Sequence, residues 1–192
     1  MKAKPAQPAV PGAIRGRRSS ADLVRRLRRV RLFGCDVDGV LTDSGVCMGE
    51  AGEAKRFNIR DGLGLRLLQR AGIRVAWVSH RESVATTRRA ADLKVDFLHQ
   101  SPENKAAVIE RILGETGLTW AGVCFMGDDL VDLGALRRAG LAVTVPDGVA
   151  EARVLAHYTT RAAAGHGAVR EVAEMILKAQ GKWGPLVEEY SA

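Results

Sequence analysis

Asp36, Asp38 and Asp43 fall within the stretch CDVDGVLTD (35–43), with Gly39 among them and no Lys or Arg between. Carboxylates crowded at the end of an apolar run repel one another and resist leaving water, so folding alone gains little from them. A second group, Asp128, Asp129 and Asp132, lies in GDDLVD. If the two groups meet they need a cation, and oxygen ligands with no His or Cys between them favour Mg²⁺ over zinc. Ser79, in VSHR, offers a hydroxyl and a backbone N–H for a phosphate oxygen. Lys105, in SPENK, follows the helix-start signal Ser101-Pro102, where an ammonium reaches toward the same oxygens. A nucleophilic carboxylate, a second carboxyl for proton transfer, a divalent cation, a hydroxyl and a lysine together make a phosphoryl-transfer site.

Such a site needs elements that bring distant residues to one edge. Short apolar runs at 30–37, 72–79, 95–99, 121–126 and 141–145 read as strands. Helical stretches alternate with them at 62–71, 82–93, 103–116, 129–139 and 167–180, after a first helix in SSADLVRRLRRV capped by Ser20. This alternation predicts an α/β fold, a doubly wound, Rossmann-like parallel sheet with helices on both faces. The first strand ends in Asp36-Val37-Asp38 and the fourth in Gly127-Asp128-Asp129, so both acidic groups open into the crevice at the topological switch point. Between the first strand and the next helix, GVCMGEAGEAKRFNIRDG predicts a β-hairpin flap leaning over that edge, with no separate cap domain.

Composition narrows the class further. A chain of 192 residues, 46% hydrophobic and 27% charged, is most simply one domain. No uncharged apolar stretch is long enough to span a membrane, and no apolar segment marks secretion. Cys35, Cys47 and Cys124 show no CxxC pairing and read as buried thiols of a cytoplasmic protein. The net charge of +7 suggests nucleic acid until it is located: residues 1–31 carry +9 and the remainder −2. The excess lies in this N-terminal arm, where Pro5, Pro8 and Pro11 also cluster; its composition favours a disordered basic leader, placed at 1–18, so nucleic acid is not the expected partner.

Taken together, Asp36-x-Asp38, Ser79, Lys105 and Gly127-Asp128-Asp129-x-x-Asp132 resemble the four motifs of the haloacid dehalogenase superfamily, in order and in spacing. DVDGVLTD, KRFNIRDGLG, GDDLVDL and GHGAVREVAEMILKAQGKW resemble its small cap-less sugar-acid phosphatases, a similarity running from about residue 20 to 183. The resemblance implies a phosphatase domain over 19–183 and a C-terminal tail at 184–192. It implies that Asp36 attacks phosphorus to form an aspartyl-phosphate, and that Asp38 protonates the leaving oxygen and then activates water. Mg²⁺ would be held by the side chains of Asp36 and Asp128 and the backbone carbonyl of Asp38. Ser79 and Lys105 would orient the phosphoryl group, while Asp129 and Asp132 would orient a metal-bound water and Lys105. The implied substrate is a 2-keto-3-deoxy sugar-acid phosphate, 3-deoxy-D-manno-octulosonate 8-phosphate first and its nine-carbon counterpart second. The implied assembly is a homotetramer in which one subunit's hairpin meets the next subunit's site.

Arg60, at the hairpin's foot, and His80 and Arg81, beside Ser79, are the candidate substrate contacts. Gly62 and Gly64 read as backbone devices, His99 and His157 as structural. Two stretches depart from the family pattern. Ser79-His80-Arg81 stands where Thr-Gly-Arg is usual, and Ala164-Gly165-His166-Gly167 where a Gly-Gly-Arg-Gly-like run is usual. Two competing classes are a phosphorylated receiver domain and a catalytically weakened binding module. The order of the acidic motifs argues against the receiver, whose phosphorylated Asp follows the third strand.

Overall fold

The computed structural model describes residues 20–50 and 52–191, and the basic leader at 1–18 lies outside them. In chain order the elements are α1 (Ser20–Arg29), β1 (Leu32–Cys35), β2 (Cys47–Gly49), β3 (Gly52–Ala54), α2 (Ile59–Arg70), β4 (Arg74–Ser79), α3 (Val84–Asp92) and β5 (Phe97–Gln100). They continue with α4 (Lys105–Thr116), β6 (Val123–Met126), α5 (Leu133–Arg138), β7 (Leu141–Thr144), α6 (Ala150–Leu155), β8 (Tyr158–Thr159), α7 (Ala168–Ala179) and α8 (Trp183–Glu189).

Six strands form one sheet in the order β5-β4-β1-β6-β7-β8, with every pairing parallel. β1 is central, its Cys35 level with Trp77 of β4 and Met126 of β6. Alternate residues of each strand enter different cores, because successive side chains leave opposite faces of a sheet. Phe33, Cys35, Val75, Trp77, Cys124 and Met126 pack in the core that also holds residues of α1, α2, α7 and α8. Leu32, Ala76, Val78, Val123 and Phe125 pack in the core shared with α4 and α5. Burial on both faces explains why β1, β4, β6 and β7 read as unbroken apolar runs.

Helix starts follow side-chain caps. Asn58 accepts from Arg60 N at 2.8 Å, so α2 begins three residues before the 62 expected from apolar spacing. Asn104 accepts from Ala106 N at 2.9 Å, which makes Lys105 the first residue of α4. The expected helix at 129–139 divides into a 3-10 turn, Leu130–Asp132, and α5. Ser20 is the first residue of α1 rather than its cap.

Three elements escaped the sequence pattern. β8 and α6 are too short to show a period. The segment 184–192 is expected as a tail because the family resemblance ends at 183, yet Pro185 is compatible with a first helical turn. Residues 183–189 form α8, and Leu186 joins the main core.

Antiparallel β2 and β3 form the expected hairpin, with Met48 opposite Glu53 and Gly49 opposite Gly52. Cys35 and Cys124 are buried, but Cys47, on β2, is exposed, contrary to the reading of all three thiols as interior. Several arginines of the N-terminal region are committed to internal contacts. Arg26 bonds Asp22 at 2.8 Å and the carbonyl of Gly140 at 2.5 Å, and Arg31 bonds the carbonyl of Val30 at 2.9 Å. Among the described residues, no helix is long and apolar enough to cross a membrane.

Candidate active site

The carboxyl edges of β1 and β6 deliver the acidic residues together. Asp36 extends the β1 ladder, its N–H donating to the carbonyl of Met126 at 3.0 Å, and its Oδ1 accepts from Val37 N at 2.6 Å. Asp128 follows β6 after Gly127. A Cβ at Gly127 would press into the side chain of Asp132 at under 3.0 Å, so glycine is what lets Asp132 fold back there. The same holds across the crevice. Gly39 has φ +89°, and a Cβ there would lie under 3.0 Å from all three carboxylate atoms of Asp128.

Lys105 binds this group from the start of α4. Its fully buried ammonium lies 2.7 Å from Asp36 Oδ2 and 2.7 Å from Asp132 Oδ1. Asp132 Oδ2 accepts from the N–H groups of Asp128 at 2.9 Å and Asp129 at 3.1 Å, so both of its oxygens are occupied. Burial would pull the Lys105 ammonium down, but Asp36 and Asp132 outweigh it and raise its pKa. The acids are pushed the other way. Burial, with Asp132 adding repulsion, lifts Asp36 to about 6 against the pull of Lys105. Burial, reinforced by Asp132 and Asp36, lifts Asp128 to about 8.

Oxygens of Asp36, Asp128 and Asp132 lie within 4.8 Å of one another. Asp132 is the least available as a ligand, being held by Lys105 and two amides. Asp128 Oδ1 is buried with no hydrogen-bond partner among the described residues. An orphaned carboxylate oxygen beside a second buried carboxylate suits a small, hard, oxygen-seeking cation. The residues present therefore fit Mg²⁺.

The remaining candidates divide between this centre and its surroundings. Ser79 is buried at the end of β4, beside β1, and its Oγ accepts from Arg81 N at 3.2 Å. Asp129 accepts from Leu130 N at 2.6 Å, capping the 3-10 turn that carries Asp132. Arg81 pairs with Glu53 of the hairpin at 2.5 Å and approaches Asp38 at 3.8 Å. His80 Nε2 is buried without a hydrogen-bond partner among the described residues. Asp43, grouped with Asp36 by spacing alone, belongs elsewhere: it pairs with Arg56 at 2.5 Å and stands outside the acidic cluster. Arg60 is exposed and lines a hollow of about 410 Å³ with Arg56, Asn58, Gly165 and His166.

Within Ala164-Gly165-His166-Gly167, the glycine that packing demands is present. Gly165 has φ +67°, and a Cβ there would meet the backbone of Thr42 and Asp43 at 2.8 Å. His157 is structural as expected, its Nδ1 accepting from Ala142 N at 2.8 Å.

The largest omission from the sequence reading is Lys55, just beyond β3. Its buried side chain lies 2.7 Å from Asp38 Oδ1 and 2.8 Å from Oδ2. Only the combination of a hairpin expected over the acidic edge and a lysine at its foot could have pointed to it. Asp61 was also passed over. It is buried in α2 and accepts from Arg170 N at 2.7 Å and Gly167 N at 3.2 Å, capping α7 from another helix.

No protein-family model matches the chain. The 3-deoxy-D-manno-octulosonate 8-phosphate phosphatase of Escherichia coli K12 is 39% identical over 164 residues, covering 85% of this chain and 87% of the relative. The crystal structure of the Moraxella catarrhalis 3-deoxy-D-manno-octulosonate 8-phosphate phosphatase, in complex with magnesium ion, phosphate ion and KDO, has a TM-score of 0.87 at 34% identity. That match covers 90% of this chain and 99% of the other. A Legionella pneumophila structure described as a subfamily III A hydrolase of the HAD superfamily has a TM-score of 0.85 at 32% identity, covering 88% and 94% of the two chains.

Proposed function

The chain belongs to the 3-deoxy-D-manno-octulosonate 8-phosphate phosphatase family of the haloacid dehalogenase superfamily, and from that membership we propose that it hydrolyses the phosphate monoester of this eight-carbon sugar acid, a lipopolysaccharide precursor. The observation that carries the reading is the buried Asp36–Lys105–Asp132 chain beside the unpartnered oxygen of Asp128.

In the first half-reaction an Asp36 oxygen attacks phosphorus as the bond to the sugar oxygen breaks. Asp38 gives that oxygen its proton. In the second, water attacks the aspartyl-phosphate, passes its proton to Asp38, and the Asp36–phosphorus bond breaks to release phosphate. Lys105 holds Asp36 in place and offers positive charge to the transferring group, and Ser79 with neighbouring backbone N–H groups holds a phosphoryl oxygen. Mg²⁺, held by the side chains of Asp36 and Asp128 and the carbonyl of Asp38, supplies charge neutralisation when bound. Asp129 acts from outside this set, fixing the turn that carries Asp132. Arg81, His80 and Arg60 are assigned to the sugar acid, with the cationic hollow around Arg60 accepting its negative end.

The assembly we assign is a cytoplasmic homotetramer. Exposed Val46, Met48 and Ile59, on the hairpin and at its foot, offer the apolar surface for it, and sedimentation equilibrium tests it. The activity is tested by phosphate release from a panel of sugar-acid phosphates with eight and nine carbons, with and without Mg²⁺. Mg²⁺-dependent release, fastest from the eight-carbon substrate, is expected. Binding without release from any member would overturn the enzymatic reading in favour of a binding module.

A further inference from the structure

We propose that Lys55 is a positioning residue for the proton-transfer carboxylate. The inference rests on the role given to Asp38 above. Asp38 is half-buried and has little else to hold it. Thr42 Oγ1 lies 3.5 Å away and Arg81 Nε 3.8 Å, both at the limit of useful contact. Lys55 touches both Asp38 oxygens, at 2.7 and 2.8 Å. Two contacts from one ammonium fix the plane of a carboxylate as well as its place.

Lys55 is itself held. Its side chain has no exposed surface, and its Nζ also donates to Thr86 Oγ1 at 3.3 Å, with Glu53 Oε1 at 3.6 Å. Thr86 lies in the first turn of α3, whose cap, Ser83, donates its hydroxyl to Glu53 Oε1 at 2.7 Å. The hairpin thus grips the body twice. Glu53 binds Ser83 and Arg81 at its rim, and Lys55 reaches from the same segment to Asp38. Docking of the hairpin is already served by Glu53, and burying an ammonium is unfavourable unless its partners are well placed. The second grip is explained by what it does to Asp38.

A proton donor must lie within roughly 2.6–3.2 Å of the oxygen it serves, and a misplacement of about 1 Å can cost about 100-fold. Without Lys55, Asp38 loses its guide. Water then meets an aspartyl-phosphate whose proton acceptor is unaligned.

The test measures wild type, Lys55→Met, Lys55→Arg and Glu53→Ala with Mg²⁺. The substrates are 3-deoxy-D-manno-octulosonate 8-phosphate and p-nitrophenyl phosphate, whose leaving group needs little protonation. Rapid acid quench gives the fraction of enzyme trapped as hydroxylamine-labile phosphoenzyme. Lys55→Met should lower kcat on the sugar phosphate by about 10- to 100-fold while KM moves less than about threefold. With p-nitrophenyl phosphate, formation is spared and water attack is slowed, so the phosphoenzyme fraction should rise. Lys55→Arg should restore most of both values, and Glu53→Ala should raise KM without changing the partition.

A Lys55→Met variant with raised KM and an unchanged phosphoenzyme fraction would overturn the inference and leave Lys55 a clamp. If that variant does not fold, Thr86→Val removes one support from Lys55 and should shift the partition in the same direction; an unchanged partition would again overturn it. Absence of a labile phosphoenzyme in the wild type would instead overturn the reading of Asp36 and Asp38 on which the inference rests.

Discussion

Gly39→Ala separates backbone strain from damage to the acidic cradle. The residue has φ +89°, a conformation that costs an L side chain about 1–2 kcal/mol. For a chain of 192 residues this corresponds to a fall in Tm of about 2–8 °C. The added methyl would also lie under 3.0 Å from the Asp128 carboxylate. A carboxylate is the free end of its side chain, so it yields by rotating away, and the cluster loses an oxygen donor. Losing even the outer partners of a metal ligand costs about 10- to 100-fold in affinity, so half-activation by Mg²⁺ should rise at least that far. Gly72→Ala is the control. Gly72 has φ +79° with nothing within 4 Å of its notional Cβ, and it lies just before the amino end of β4, at the opposite edge of the sheet. It should show the fall in Tm without the shift in Mg²⁺ requirement. Thermal melts with Mg²⁺ titrations of phosphate release measure both quantities. If the two variants show the same Mg²⁺ half-activation, Asp128 is not the ligand that Gly39 makes room for.

Asp36→Asn should abolish turnover with the fold intact, and Asp38→Asn should retain slow transfer, more with p-nitrophenyl phosphate than with a sugar phosphate. Substantial turnover by Asp36→Asn, with reversion to Asp excluded by mass spectrometry, would favour direct attack by water. The raised pKa values of Asp36, about 6, and Asp128, about 8, mean that the metal-free folded state holds protons which the unfolded chain, near the ordinary aspartate value of 3.8, has released. Metal-free stability should therefore fall as pH rises from about 4 to about 8, and the gain in Tm on adding Mg²⁺ should be larger at pH 8 than at pH 5. Equal gains at both pH values would contradict the shifts. Asp61→Ala removes the acceptor that caps α7, whose own cap position is Gly167, and should cost about 1–2 kcal/mol in denaturant unfolding.

What was legible in the sequence was whatever chemistry or periodicity writes locally. Asp36 and Asp38 stand two apart because one strand end presents both. Asp128 and Asp132 stand four apart because the second folds back onto the amide of the first. Lys105 was visible for its place after a helix-start signal, and β1, β4, β6 and β7 for their buried faces. Lys55 and Glu53 were not, since a hairpin's long-range contacts leave no local pattern. Asp43 misled for the converse reason. Local density of carboxylates placed it with Asp36, whereas the chain beyond Gly39 carries it to Arg56. Helix α8 was hidden by a Gly-Pro pair that more often ends helices than begins them.

Lys105 shows why local rules fail at such a site. A lysine at the first position of α4 faces the positive end of the helix dipole, and it is fully buried, so both local electrostatics and solvation disfavour it. Asp36 and Asp132 reverse that balance, yet those two aspartates are themselves disfavoured by burial and by each other. No member is stable in its place alone. Removing any one leaves the others uncompensated, whereas adding a divalent cation relieves the carboxylates that Lys105 cannot serve, Asp128 above all. The glycines at 39 and 127 belong to the same arrangement, since each gives up a side chain so that a carboxylate can lie against the backbone. The cluster therefore answers to charge carried by metal and phosphate, while the packed faces of the sheet hold its members in place.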